Sequence, residues 1–183
     1  MRSSMRTLRD IVMKLLPWSK LRRARLAFAN DRDHNLQNDS AFVEAVCGNA
    51  DHRLGGCLVL LRWCVARECG IHPDKIHASD STDCLAVLVG SDTFVGYWFA
   101  AREIDSEFYN AVSVEMNAVS PQSVSWDWET VALTHRFCKD GEKILLRNWI
   151  LPVAEDLYNA CKDQSAIMRT VEQFQAHISS WLI

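Results

Sequence analysis

Apolar residues recur along much of the chain at the three- and four-residue spacing that is typical of helices. The clearest case is residues 54–69, which are apolar on nearly every side and therefore predict a helix at the centre of the fold. Gly70 follows this segment directly and is a typical C-terminal cap. Residues 71–83 predict an ordered loop, because Ile76 is an isolated apolar residue that would fill a core.

The N-terminal part of the chain has a different character. Residues 6–16 place their apolar side chains on one helical face. Residues 30–38 are polar and predict a loop or linker. Asp39 or Ser40 is the expected N-terminal cap of the next helix. The pattern therefore predicts residues 1–38 as a basic N-terminal helix with a linker, and residues 39–183 as a single globular domain.

Residues 84–150 fit two structures. Their Val, Thr, Tyr, Trp and Phe residues favour strands, whereas residues 92–108 also place aromatic and apolar side chains on one helical face. Beyond this region, Pro152 suits the first turn of one helix and Asp163 suits the cap of another. The predicted fold class is mainly α, a helical bundle with extra N- and C-terminal helices. The alternative is α+β, with a small antiparallel sheet over residues 84–150.

Composition narrows the protein class. The chain has 183 residues, of which 49% are hydrophobic and 23% charged, as is usual for one globular domain. It contains no apolar run of about 18 residues and no recognisable secretory signal. Its seven cysteines are an odd number, which argues against a disulfide framework and for reduced thiols. These features predict a soluble, intracellular protein with a cytoplasmic location.

The net charge of −3 conceals an uneven distribution. Residues 1–32 carry a balance of +7, and the remaining residues carry −10. The basic arm is predicted either to pack on the acidic body or to make weak contact with an anionic membrane surface through residues 1–25. Its composition also fits an organelle transit peptide. Nucleic acid is not an expected partner, because the acidic body would be repelled by phosphates.

One group of residues has the side chains for metal binding or nucleophilic chemistry. Cys69, His72, His77 and Cys84 lie within sixteen residues and could supply two thiolates and two imidazoles to zinc. Their spacing matches no common zinc module, so we expect buried thiols, surface histidines and no bound metal. A small enzyme or metal-binding protein that uses this Cys/His set is the alternative. The sequence contains no recognisable catalytic motif.

A series of short motifs follows the order known from one protein family. An apolar helix ends in "RECGI" and is followed by "HPDKI"; "GSDTF" then precedes "VGYWFAAREIDSEF", and "ETVALTHRF" comes last. Acyl carrier proteins have a similar first helix and a Gly-x-Asp-Ser-Leu motif before an acidic recognition helix. Residues 54–138 therefore resemble an acyl carrier protein.

The resemblance implies an acyl-carrier-like core for the helical bundle. Thr93 stands where the family attaches phosphopantetheine to a serine, and its β-branched secondary alcohol is a poorer acceptor. We therefore expect Thr93 to be a vestigial attachment position and the chain to carry no cofactor. The resemblance also implies a protein-docking face that bears Asp92, Glu103, Asp105 and Glu107.

These patterns lead to one functional hypothesis. The chain is predicted to be a non-catalytic protein-interaction domain, in the form of a degenerate acyl-carrier-like module that lacks the attachment serine. A protein partner is expected. The small enzyme or metal-binding protein built around Cys69–Cys84 remains the alternative, and it requires the four Cys and His side chains to meet in one cleft.

Overall fold

The structure is a computed structural model that describes residues 20–48, 52–88, 112–122, 145–180 and 182. Within these ranges the chain is mainly helical, which confirms the predicted fold class. The described residues contain no β-strand, and their single β-type backbone pairing is an isolated antiparallel bridge between Ser81 and Leu145. The alternative α+β fold therefore finds no sheet in the part of the chain that is described.

The helices follow one another in the order α1 (Lys20–Asp31), α2 (Asp39–Cys47), α3 (Gly55–Cys69), α4 (Thr82–Leu88), α5 (Leu146–Ala160) and α6 (Gln164–His177). Short 3-10 turns occur at His52–Leu54, Pro73–Lys75 and Ile178–Ser180. Residues 112–119 are also helical.

Helix α3 lies at the centre of the bundle, as the sequence predicted. Most of its residues are buried, and it packs most extensively against α5 and α6. The helix ends at Gly70, which has a φ of 65° and donates its N–H to the carbonyl oxygens of Ala66 and Arg67. A residue with a Cβ is strained at this φ, so the glycine cap is also confirmed.

The predicted helix starts are correct in one case and wrong in two. Asp163 caps α6 and accepts a hydrogen bond from the Ser165 N–H at 3.1 Å. Asn38, rather than Asp39 or Ser40, caps α2, because the Asp39 carboxylate is engaged by other side chains. Pro152 lies inside α5 instead of in its first turn.

The early start of α5 has a packing reason. The part of α5 that precedes Pro152 contains Leu146 and Ile150, which are almost fully buried in the core. Burial of one such side chain stabilises by roughly 1.5–3 kcal/mol, which offsets much of the cost of about 3 kcal/mol for a proline in a helix. The helix therefore extends past Pro152 towards its N-terminus.

Helix α1 belongs to the predicted basic segment, and it packs against α4. The Arg25 guanidinium donates through Nε to the carbonyl oxygen of Leu88 at 2.8 Å and through Nη2 to that of Glu68 at 3.2 Å. One of the arm's arginines is therefore directed at the body of the protein. The predicted domain boundary at residue 38 stays a prediction.

Candidate functional site

The described residues bring several charged and polar side chains together where residues 32–38 meet residues 72–81. The first range is the connection between α1 and α2, and the second is the loop between α3 and α4. We call this group the buried polar cluster, and its members are Arg32, Asp39, Arg62, His77 and Asp80.

Arg62 holds three segments of the chain together from the middle of α3. Its side chain is fully buried, and Nη1 donates to Asp39 Oδ1 at 2.7 Å. Nε and Nη2 donate to the carbonyl oxygen of Ile76 at 3.2 and 3.0 Å, and Nη2 also donates to that of Gln37. The guanidinium carbon lies 4.7 Å from the centre of the Phe42 ring. One side chain therefore joins α2, the 32–38 connection and the 72–81 loop.

The local sequence explains why an arginine is buried here. Arg62 is the single charged residue within residues 57–66, so the packing of an apolar helix carries its guanidinium into the interior. A buried charge needs a partner, and its N–H groups need acceptors. Burial lowers the pKa of Arg62, whereas the hydrogen bond with Asp39 raises it. This role was not predicted, although a lone charge inside an apolar helix is a signal for a buried ion pair.

A second set of contacts joins the end of α1 to the same loop. Arg32 Nη1 lies 2.5 Å from His77 Nδ1, and Arg32 Nη2 donates to Asp80 Oδ1 at 2.6 Å. The backbone N–H of His77 donates to Asp80 Oδ2 at 2.7 Å. A guanidinium can only donate, so His77 Nδ1 accepts and the neutral ring carries its proton on Nε2. Within the described structure, His77 Nε2 and Arg32 Nε are buried without a hydrogen-bond partner.

The surroundings of the His77 ring disfavour its charged form. Burial lowers the pKa of His77, the positive charge of Arg32 lowers it further, and Asp80 opposes both. Burial raises the pKa of Asp80, against hydrogen bonds from the His77 amide and from Arg32. The distance of 2.6 Å between Arg32 Nη2 and Asp80 Oδ1 is as short as expected for a charge-assisted hydrogen bond between guanidinium and carboxylate.

The loop itself is held by further backbone contacts. Ile76 is fully buried, which confirms that it fills the core. The N–H groups of Leu146 and Arg147, at the start of α5, donate to the carbonyl oxygens of Asp80 and Ala78 at 2.7 and 2.9 Å. Hydrogen bonds thus hold the backbone of both segments that meet at the buried polar cluster, the 32–38 connection and the 72–81 loop.

The four residues of the predicted Cys/His set are not brought to one metal site. His72 is partly exposed and accepts from the Asp74 N–H at 3.2 Å, whereas His77 is buried against Arg32. Cys69 is buried with Sγ 3.9 Å from the carbonyl oxygen of Leu85, and Cys84 is exposed. Among the described residues, no three His, Cys, Asp or Glu side chains are placed to hold a metal ion.

The buried thiols lack the character of nucleophiles. Burial raises the pKa of Cys57, Cys64 and Cys69 to about 12 each. A thiol with such a pKa is almost entirely protonated at neutral pH, and the thiolate is the reactive form.

The residues implied by the acyl-carrier resemblance cannot be placed. Thr93, Asp92, Glu103, Asp105 and Glu107 all lie outside the described residues. Their predicted roles therefore remain predictions.

The outer side of the cluster displays an apolar residue among carboxylates. Leu36 is 57% exposed, and Asp31 and Asp33, which lie close to it in sequence, are also exposed. Asp74 is partly exposed, and its carbonyl oxygen accepts from the N–H of the adjacent Gln37. Lys75 provides a counter-charge through an ion pair with Asp33 at 2.5 Å. We call this surface the Leu36 edge, and its members are Asp31, Asp33, Leu36 and Asp74.

The comparisons with known protein families, with curated proteins and with solved structures find no significant match to this chain. None of the described helices is long and apolar enough to cross a lipid bilayer. Among the described residues, the buried polar cluster and the Leu36 edge are therefore the candidate functional features.

Proposed function

We propose that this chain is a non-catalytic domain that binds another protein through the Leu36 edge. The observation that carries the proposal is that Leu36 is 57% exposed beside backbone that hydrogen bonds to Arg62 and Asp74 hold in place. A single exposed leucine is common on protein surfaces, so its exposure alone indicates nothing. Leu36 combines this exposure with an irregular backbone that tertiary hydrogen bonds hold in place.

The backbone around Leu36 is held from both directions. On one side, the Asn35 N–H donates to the carbonyl oxygen of Arg32 at 3.0 Å. On the other side, the Gln37 N–H donates to the carbonyl oxygen of Asp74 at 2.9 Å, and the Gln37 carbonyl accepts from Arg62. Backbone that is already ordered loses little conformational entropy on binding, which favours the use of Leu36 as an interface anchor.

The charge of the Leu36 edge indicates the chemistry of the partner. Its carboxylates belong to Asp31, Asp33 and Asp74, and Arg32 and Lys75 supply positive charge beside Asp31 and Asp33. The complementary partner segment carries an apolar residue flanked by Lys or Arg. Such complementarity raises the association rate and helps to exclude acidic partners.

Two observations favour a binding role for this domain over a catalytic one. The polar groups of the buried polar cluster bind one another and the backbone, with the Arg32 guanidinium directed at His77 and Asp80. The thiols of Cys57 and Cys69 are protonated at neutral pH. The acyl-carrier-like character of residues 54–138 and the membrane contact of residues 1–25 stay predictions from the sequence.

The test is site-specific photo-crosslinking in the cells that express the chain. Benzoylphenylalanine replaces Leu36, and in a matched variant it replaces Met168, which is 48% exposed on α6. We expect a discrete adduct from position 36 and none of that size from position 168. Mass spectrometry should map the adduct to a segment of the partner that is rich in Lys or Arg.

A purified peptide of the mapped segment then provides the quantitative test. Replacing Leu36 with Ser should weaken its binding by about tenfold or more, which corresponds to the loss of roughly 1.4 kcal/mol at an interface anchor. Replacing Met168 with Ser should leave the affinity unchanged. Equal adducts from both positions, or a mapped segment that is acidic, would contradict the proposal.

A further inference from the structure

We propose that Arg32, His77 and Asp80 form an acid-sensitive latch. When His77 takes up a proton, Asp80 exchanges Arg32 for the imidazolium, and the Arg32 end of the 32–38 connection is released from the 72–81 loop. The latch would regulate the Leu36 edge, and that consequence rests on the proposed function. The latch itself depends only on the contacts of the three residues.

The latched geometry has no place for a second proton on the ring. His77 Nδ1 accepts from Arg32 Nη1 at 2.5 Å. An imidazolium carries N–H groups at both nitrogens, so its Nδ1–H would point at a guanidinium N–H. The two positive charges would also lie in direct contact in a buried site, where solvent screens them little. Protonation is therefore incompatible with the observed contact.

The other charges around His77 do not remove this conflict. Among the described residues, Arg32 follows α1, Arg62 comes from α3, and Asp80 belongs to the same loop as His77. Two guanidinium groups thus lower the pKa of His77, whereas the Asp80 carboxylate and a hydrogen bond with the Asn35 backbone raise it. The pKa of His77 is lowered accordingly, with burial as the largest cause and Arg32 as the next.

An exchange of partners resolves the conflict with the groups already present. The proton comes from solvent and binds Nδ1, and the Nδ1–H then donates to the carboxylate that Arg32 leaves. Asp80 remains in place because its Oδ2 accepts from the His77 N–H at 2.7 Å. The Arg32 side chain is 23% exposed and can move into water, whereas the Asp80 side chain is 1% exposed. The arginine is therefore the group that leaves.

The size of the effect follows from linkage. In the released state the pKa of His77 is at or above the ordinary value of roughly 6.5, because the imidazolium donates to Asp80, whereas the latched state excludes the proton. Lowering the pH from 7.5 to 5.5 therefore shifts the equilibrium towards release by about tenfold or more. The raised pKa of Asp80 acts in the opposite direction, because it favours the folded cluster as that carboxylate becomes protonated at lower pH. The shift is thus measured between pH 7.5 and 5.5.

The experiment is amide hydrogen exchange of the full chain followed by NMR. The reporter is the N–H group of Asn35, which is bonded to the carbonyl oxygen of Arg32. After correction for intrinsic exchange, we expect its protection to fall about tenfold between pH 7.5 and 5.5. The N–H of Leu61, in the middle of α3, should keep its protection.

Two histidine variants give the matched controls. In His77→Asn, the amide oxygen replaces Nδ1 as an acceptor for Arg32 without titrating, so the pH dependence should disappear. His34→Asn removes an exposed histidine of the connection and should leave the tenfold change intact. A pH dependence that persists in His77→Asn would overturn the proposal.

A measurement on the unaltered chain keeps the test decisive if His77→Asn does not fold. The ring nitrogen shifts of His77 should show the neutral form with its proton on Nε2 at pH 6. An ordinary titration of His77 near pH 6.5, without loss of amide protection, would exclude the latch. None of these measurements needs a partner, so the latch and the proposed binding function can fail separately.

Discussion

At the scale of single residues, Arg62 shows how one charge can organise a core. A buried ion pair seldom adds net stability compared with well-packed apolar residues, because both charges lose their hydration. Its value lies in specificity, since a guanidinium accepts only those arrangements that supply acceptors for its N–H groups. Here the acceptors come from Asp39, Gln37 and Ile76, which belong to three different segments. Arg62 therefore determines how these segments are positioned relative to one another.

Replacing Arg62 with Ala should lower the free energy of unfolding by about 3 kcal/mol, the lower end of the range for a broken buried pair. The lower end applies because the Asp39 side chain is 31% exposed and can regain water. Urea denaturation measures the change. Arg23→Ala is the control, since Arg23 is an exposed arginine of α1 and its loss should cost less than about 0.5 kcal/mol. Equal effects of the two substitutions would show that Arg62 has no special role.

At the scale of secondary-structure elements, the end of α3 is shaped by both backbone and side-chain contacts. Gly70 has a positive φ of 65°, and a Cβ at this position would lie 2.7 Å from Arg25 Nη1. That guanidinium joins α1 to the ends of α3 and α4 through the carbonyl oxygens of Glu68 and Leu88. The absence of a side chain at residue 70 thus terminates one helix and also lets another dock against it.

Gly70→Ala should therefore destabilise the protein by about 2–3 kcal/mol, of which roughly 1 kcal/mol is backbone strain. The remainder arises from displacement of Arg25. In an Arg25→Ala background, only the strain should remain, so the double-mutant cycle should give a coupling of about 1 kcal/mol or more. Thermal or urea unfolding of the four proteins measures it. A cycle with no coupling would mean that the Arg25 side chain moves away from the new methyl group without a loss of stability.

At the scale of the whole molecule, the segment that was predicted to be a basic arm with a linker makes specific contacts with the body. Arg25 binds carbonyl groups beside α3 and α4, and Arg32 neutralises Asp80, which is 3% exposed. Gln37 also accepts from the Ala78 N–H through Oε1 at 3.2 Å. These contacts favour a folding unit that begins before residue 39.

A chain shortened to residues 39–183 should lose about 3 kcal/mol or more of its stability, because Asp80 would be buried without its guanidinium. A synthetic peptide of residues 20–38 should restore the urea midpoint in a concentration-dependent manner. The same peptide with Arg32→Ala should be less effective. An unchanged midpoint for the shortened chain would instead support the boundary predicted at residue 38.

Part of this structure could be predicted from local sequence patterns. The helical period and the glycine at residue 70 were sufficient to locate α3 and its end, and the isolated Ile76 indicated a plug in the core. Asp163 was recognisable as a cap because a cap bonds within its own first turn. At Gly70 and Asp163, the interaction that determines the structure lies within a few residues of the chain.

The interactions that only the tertiary structure decided join residues far apart in sequence. Asp39 or Ser40 was expected to cap α2, but the cap is Asn38, and the Asp39 carboxylate binds Arg62, which lies 23 positions away. His77 was expected at the surface beside cysteines, yet it is buried against Arg32, 45 positions away. A periodic pattern states which face of a helix is buried, but the choice of ionic partner depends on how several helices pack together. The sequence alone therefore determined the mainly helical fold and its central helix, whereas packing decided which charges meet.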